Sequence, residues 1–530
     1  MDLTSLTTMW WAIALLFITV LATKITRARI TNIDPQRTTG QLPPMVNGLA
    51  LLGLLPTLLK KGLPPMFNYL YVNYGSVFSV SCFGVIKVTL LIGPEATTHF
   101  FQGLESEISH GNLLEFTVPM FGKAVGYGRD TATRMEQMRF HSEALRASRL
   151  RSHVSPMLQE VEAVGYGRDT ATRMEQMRFH SEALRASRLR SHVSPMLQEV
   201  EDFFAKWGEE GVVDLKLEFE QLLMLISGRC LLGKEVRENM FDEVYTLFRE
   251  IEKGVTLISF LFPYLPTPAN RQRDRARIRL TEILSNVVES RKSSGRVEED
   301  TLQKLIDSKY KDGRPTTVEE VAGLIIGLLF AGKHTSSHTS TWTGACLLSH
   351  PAFLRAAIEE QHQVAKKYKD GPEYNAFLEM DTLHNCIKEA LRKNPATPLL
   401  VRRVHKRFTV QTKEGQQYDI PQDYIVATPT IVNNYIPYIY TDPQVYDPNR
   451  FGPERREDKV GGKFSYTSFG GGRHVCTGEA YAYMQLKVIW SHLLRNFDLE
   501  LVSPFPNTDW SKFLPDPQGK LLVRYTRNGI

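Results

Sequence analysis

Cysteine is scarce in this chain of 530 residues: five occur, Cys82, Cys230, Cys346, Cys386 and Cys476. An odd and scattered set excludes a disulfide framework and suits small buried hydrophobes in a reducing compartment. No C-x-x-C pair exists, which removes zinc ribbons and thioredoxin-type redox chemistry. Neither sign of charge dominates, with 64 Lys and Arg against 58 Asp and Glu, a net +6. At 42% hydrophobic and 23% charged residues, the composition is that of an ordinary globular chain. One cysteine keeps unusual company. Cys476 stands among four glycines in "FGGGRHVCTG", Phe469 to Gly478, with Arg473 and His474 just before it.

The N-terminus lacks the positive charge that precedes the apolar core of a secretory signal, and it lacks a small-x-small cleavage site. What it has is an apolar stretch from Leu3 to Ala22, strongest over Met9 to Ala22, followed by Lys24, Arg27 and Arg29. With its flanks this approaches the roughly 20 residues a bilayer needs. Basic residues after the run place the bulk of the chain on the cytosolic side. The organisation expected is a membrane anchor over 1–30, a linker over 31–66 punctuated by Pro43–Pro44 and Pro64–Pro65, and one large body over 67–530.

The body reads as mostly helical. Alternating β-branched runs around Val77–Val80 and Val85–Ile92 predict a strand-turn-strand, and Phe408–Thr412 with Gln417–Ile420 predict another pair across "KEGQ". The strongest helix candidate runs from Thr317 to His350, with Glu319 and Glu320 in its first turn and Pro351 after its end. A stretch of 39 residues occurs twice without a difference, Ala124–Glu162 and Ala163–Glu201. Helical solenoids need about three or more divergent copies, so two perfect ones read as a young duplication or a sequence error. Arginines and acids interleave within each copy, which suits a solvated helix face better than nucleic-acid binding.

A thiolate serves as nucleophile, metal ligand or redox centre. Gly470, Gly471 and Gly472 allow a tight turn and close approach to a flat object, and Gly478 allows a helix to start hard against it. A cysteine ahead of a helix N-terminus has its thiolate favoured by backbone N–H groups, which suits haem iron among other partners. Plainer readings stay open beside this one. Glu389 and Arg392 at i, i+3 would make a surface ion pair. Thr335 would bond back to its own helix. Arg402 would be a surface charge on a strand, and His474 a satisfied histidine.

"FGGGRHVCTG" resembles F-x-x-G-x-x-x-C-x-G, the haem-thiolate signature of the cytochromes P-450. "KEALR" supplies Glu389 and Arg392 in the pattern of that family's E-x-x-R, "DPNRF" supplies Arg450, and "AGKHT" (Ala331 to Thr335) resembles its oxygen-activating helix segment. "CLLGKEVRENMFDEV", "IDSKYKDGRPTT" and "LLRNFDLELVSPFPNTDW" are similar to the sterol 14α-demethylase branch, most closely its plant members. His334 and His474 are themselves marks of that branch. The resemblance implies a mainly α fold with small β-sheets behind an N-terminal anchor helix. It implies haem b with Cys476 as axial iron ligand, Phe469, His474 and Arg402 as cofactor-binding residues, and Thr335 and His334 as proton carriers to the distal oxygen. Glu389, Arg392 and Arg450 would form a buried structural network. It further implies sterol 14α-demethylation with O2, and electrons from NADPH through a flavoprotein reductase at the endoplasmic reticulum membrane. The net charge of +6 suits an acidic donor and an anionic membrane surface.

Three departures from the plant pattern bear on specificity: Leu114 and Thr131 stand where tyrosines are usual, and Lys333 precedes His334. Haem chemistry survives these changes, whereas the substrate could be another sterol or triterpene. A further alternative is a haem- or lipid-binding protein disabled by the duplication. In the family this duplicated stretch lies over one haem face, where a single copy fits. Copy two is expected there, with Arg173 and not Arg134 approaching the haem.

Overall fold

The computed structural model describes residues 41–46, 51, 53–54, 56–58, 62–144 (except 83–85 and 112) and 190–528 (except 299, 311, 370–372, 511 and 513). The expected anchor over 1–30 lies outside these residues. Among those described, no helix is long and apolar enough to cross a membrane.

The chain opens with β1 (Met45–Val46), α1 (Leu63–Tyr74), β2 (Val77–Cys82), β3 (Ile86–Leu91), α2 (Pro94–Gln102) and β4 (Ile108–Ser109). Next come α3 (Thr131–Ala144), β5 (Glu210–Asp214), α4 (Leu215–Ser227), α5 (Phe241–Lys253), α6 (Pro268–Ser294) and α7 (Val318–Leu348). After α8 (Pro351–Lys367) and α9 (Asp381–Lys393) the chain makes β6 (Leu399–Val404), β7 (Phe408–Gln411), β8 (Gln417–Ile420) and β9 (Ile425–Pro429). It ends with α10 (Glu479–Asn496), β10 (Phe497–Leu501), β11 (Thr508–Asp509), β12 (Asp516–Pro517) and β13 (Leu522–Arg527).

These elements fall into two units whose chain segments interleave. The first runs to Leu113 and adds Pro398–Thr441 and Glu457–His474. It holds a six-stranded mixed sheet in the order β1-β2-β3-β9-β6-β4 and the β7–β8 hairpin. Both predicted strand pairs are there, β2 with β3 and β7 with β8. The second hairpin turns at Gly415, whose φ of +85° is a conformation glycine adopts without a Cβ penalty. Phe100, Phe101, Phe408, Val426 and Phe464 fill this unit's core.

The second unit comprises Leu114–Thr397, Asp442–Arg456 and Val475–Ile530. It carries the helices from α3 to α10, the antiparallel sheet β10-β13-β5 and the β11–β12 hairpin. Its longest helix, α7, starts as its sequence predicts. Thr317 caps the Glu320 N–H while the Glu320 carboxylate takes the Thr317 N–H, a capping box. A Cβ on Gly344 of α7 would meet the Trp490 ring of α10 at 2.9 Å, so glycine there lets the two helices touch. The Trp490 indole N–H donates to Ser340 of α7 at 3.1 Å across the same contact.

The repeat is used in an unexpected way. Its described residues are 124–144 from the first copy and 190–201 from the second. Gln137 of the first copy bonds the Gly126 N–H, the Ala124 carbonyl and the Tyr310 hydroxyl. Glu199 of the second is buried between Arg229 and Arg237, at 2.8 and 2.9 Å. The front of one copy and the back of the other are thus both knit into this unit. Arg173 lies outside the described residues. The described Arg134 is 7% exposed and stacks over Tyr127 at 4.7 Å.

Candidate active site

In the first unit, strand β6 carries Arg402 and the antiparallel pairing of β4 with β6 aligns Ser109 with Arg403. One step further along that register His110 comes against Arg402, and the guanidinium contacts the imidazole Nε2. Arg402 is 4% exposed, so it is no surface charge. Its guanidinium also donates to the Val401 carbonyl at 2.9 Å and lies over Phe100 at 5.0 Å. His474 packs edge-on to His110, ring centres 4.9 Å apart, and its Nε2 lies 3.0 Å from the Glu105 carboxylate. Arg402 and His474 are therefore brought together through His110, which no sequence pattern singled out. Three nitrogen-rich side chains in series, the last of them beside a carboxylate, are a donor set suited to further carboxylates.

Phe469 is half-buried in the turn before the glycines, where the Gly470 N–H donates to Thr467. The glycines serve the protein's own packing. Gly472 has φ +61°, and a Cβ there would lie 1.9 Å from the Phe101 carbonyl oxygen. Gly478 has φ −94°, which any residue adopts, so its backbone angle alone does not call for glycine.

Cys476 opens the last segment of the second unit, just ahead of α10. It is exposed, whereas Cys230, Cys346 and Cys386 are buried and burial pushes each of those thiols up to about 12. Nearby protein atoms still desolvate the Cys476 sulfur enough to raise its pKa. The N–H groups of Gly478 and Glu479 pull the other way, and the Glu479 carboxylate adds to the rise. The helix start thus supplies the expected N–H groups without making the free thiol acidic.

On α7, the Thr335 hydroxyl donates to the Ala331 carbonyl at 2.7 Å, the back-bond of a mid-helix threonine. Its oxygen lone pairs remain as acceptors. His334 Nε2 is buried without a hydrogen-bond partner, and burial lowers this imidazole to about 4. Lys333 is 6% exposed and reaches Glu252 of α5 at 2.9 Å. Burial raises the Glu252 pKa and the Lys333 ammonium opposes the rise.

Glu389, Arg392 and Arg450 are all 0% exposed. Arg392 grips both Glu389 oxygens at 2.7 and 2.8 Å, and Arg450 Nε reaches one at 3.0 Å. The Asp447 N–H donates to the same carboxylate, while the Pro443 carbonyl accepts from Arg392 and the Val445 carbonyl from Arg450. The surface-pair reading of Glu389 and Arg392 is excluded, and the expected triad is complete. Residues 162–523 match the family described as Cytochrome P450.

The chain belongs to the cytochrome P450 family. It is 48% identical to the obtusifoliol 14-alpha demethylase of Sorghum bicolor over 490 residues, 92% of this chain and 91% of that one. The sterol 14-demethylase of Arabidopsis thaliana is 46% identical and covers 92% of both. The human lanosterol 14-alpha demethylase is 31% identical over 86% of this chain and 81% of its own. The fold matches that of a retinoic-acid-bound cyanobacterial CYP120A1, at TM-score 0.73 and 20% identity, over 93% of this chain and all of that one. As a P450 enzyme, the chain is expected to hold haem. The residues of each unit, taken by itself, fit such a group: in the second an exposed thiol ahead of a helix suits the iron, and in the first Arg402, His110 and His474 suit carboxylates.

Proposed function

We propose that this P450 removes the 14α-methyl group of an obtusifoliol-type sterol in three successive oxidations, releasing the carbon as formate. The single observation that carries the reading is 48% identity across 92% of the chain to a protein named for that activity. Haem, held through Cys476, supplies reductive activation of dioxygen and oxygen insertion into an unactivated C–H bond. Arg402, His110 and His474 bind its carboxylates. Phe469 packs beside it at the head of the signature. Thr335 keeps its own proton on the Ala331 carbonyl and offers its oxygen as an acceptor, and His334 carries protons at Nε2. Electrons come from NADPH through a membrane-bound flavoprotein reductase. The apolar stretch from Leu3 to Ala22, followed by Lys24, Arg27 and Arg29, supports an anchor in the endoplasmic reticulum membrane with the enzyme facing the cytosol.

A second reading keeps the chemistry and changes the substrate to another sterol or triterpene. It is favoured by Leu114 and by the pairing of buried Lys333 with half-buried Glu252 next to His334 in the chain. Product analysis separates the two: membranes carrying this protein and a reductase are given NADPH, O2 and a sterol panel. Formate release with a 14-demethylated product from obtusifoliol is expected. Oxidation of another panel member alone would establish the second reading, and no turnover of any would remove both.

A further inference from the structure

His338 lies one turn beyond His334 on α7 and is 2% exposed. Its Nε2 meets the backbone carbonyl of Asn394 at 3.0 Å. A carbonyl only accepts, so Nε2 bears the hydrogen and Nδ1 of the neutral ring bears the lone pair. Nδ1 is buried 3.9 Å from Asp516 Oδ1, with the Pro515 carbonyl also on its side, and it makes no hydrogen bond of normal geometry. Two opposed acceptors are costly until a proton comes between them. Asp516, on β12, is held ionised: Lys216 of α4 is 2.5 Å from its carboxylate and Lys512 is 3.5 Å away. Burial raises the Asp516 pKa, and the Lys216 hydrogen bond and charge more than reverse this. On the other side, the His334 and His338 rings are 6.5 Å apart. Buried proton-accepting atoms thus follow one another from His334 to the β11–β12 hairpin, where the half-exposed Lys512 reaches solvent.

We propose that His338 and Asp516 form a proton-conducting dyad that supplies His334 from the hairpin side of this unit. A proton from solvent adds at Nδ1 of neutral His338, converting the opposed acceptors into a charge-assisted pair. The same nitrogen then releases it through a water bridging the two rings, whose centres are 6.5 Å apart, to His334 Nε2. Only N–H and O–H bonds change, and no oxidant or reductant is consumed. The charged groups facing the two rings are Lys333 on α7, Lys216 on α4, and Lys512 and Asp516 of the hairpin, with the Asn394 and Pro515 carbonyls beside them. Burial keeps both rings neutral at rest. His338 further lowers His334 as a like charge, and Asp516 opposes this. His338 is a positioning residue, acting through His334. The delivery role rests on the monooxygenase reading above; the titration of His334 does not.

In His338→Gln the side-chain amide still donates to the Asn394 carbonyl but passes no proton. In the haem-loaded full chain with reductase, the share of NADPH electrons reaching product and not hydrogen peroxide is expected to fall roughly tenfold. The acid limb of the pH profile moves and substrate affinity does not. Without substrate, the His334 midpoint read by NMR of the 15N-histidine-labelled chain rises in His338→Gln and falls in Asp516→Asn. If His338→Gln does not fold, Asp516→Asn carries both measurements. An unchanged partition overturns the proposal, whether or not the midpoint moves. So does a double variant whose losses multiply, because one path cannot be lost twice. Absence of turnover in the unsubstituted protein would strike the functional reading alone, and the His334 midpoints would still decide whether the dyad is coupled.

Discussion

Glu389 holds two buried guanidiniums at once. Two guanidiniums share its carboxylate with no exposure to water, and a buried charge left unmatched is more costly than the pair is worth. Glu389→Ala is expected to destabilise the protein by about 3–5 kcal/mol, read as a lowered urea midpoint and poor haem incorporation. A loss below about 1 kcal/mol, the range of an exposed pair, would contradict the burial. At this scale the sequence was informative where residues recur at fixed spacing. The glycine-flanked Cys476 and the E-x-x-R pair were legible for that reason. His110, Glu105 and Asp516 were not. Each is a lone polar residue, and each gains its meaning from a strand register or a hairpin that joins distant segments.

Elements were legible where local chemistry alone decides them. The Thr317–Glu320 capping box and Pro351 bracket α7, and the β-branched runs of β2 and β3 pair around a short turn. The mixed order of the six-stranded sheet was not legible, because β9 and β6 reach β3 and β4 from about 300 residues away. The duplication was visible at once, and docking of copy two was expected; Arg134 of copy one is a buried residue, while Arg173 lies outside the described residues. Residues 145–189, 45 in all, connect the described parts of the two copies. Deleting 39 of them leaves six and one complete copy. The described contacts Gln137–Tyr310 and Glu199–Arg229 survive the deletion, so it is expected to keep both the urea midpoint and haem retention. Arg134→Ala in the full chain is expected to lower that midpoint, and Arg173→Ala to leave it. Loss of haem on deletion, or the reverse order of the two arginines, would contradict this use of the repeat.

For the molecule as a whole, buried neutral imidazoles set the response to acid. Burial lowers His192 and His384 to about 3, and His334 and His492 to about 4. In the unfolded chain these groups take a proton near the ordinary histidine value of about 6.5. Between that value and about 4 the unfolded state binds more protons, so their contribution is complete above the window and is lost as pH falls through it. Each contributes up to ~1.4 kcal/mol per pH unit. Urea midpoints are expected to fall steeply from about pH 7 to pH 5, and less steeply in His192→Gln. A midpoint flat over that range would show these imidazoles already charged or exposed in the fold.

Haem ligation by Cys476 underlies every role assigned to the other site residues, and one spectrum tests it. Reduced protein exposed to carbon monoxide is expected to show the long-wavelength Soret band of thiolate-ligated haem, and Cys476→Ser to lose it while the haem-free fold is retained. The same band persisting in Cys476→Ser, or never appearing in haem-loaded protein, would contradict the assignment.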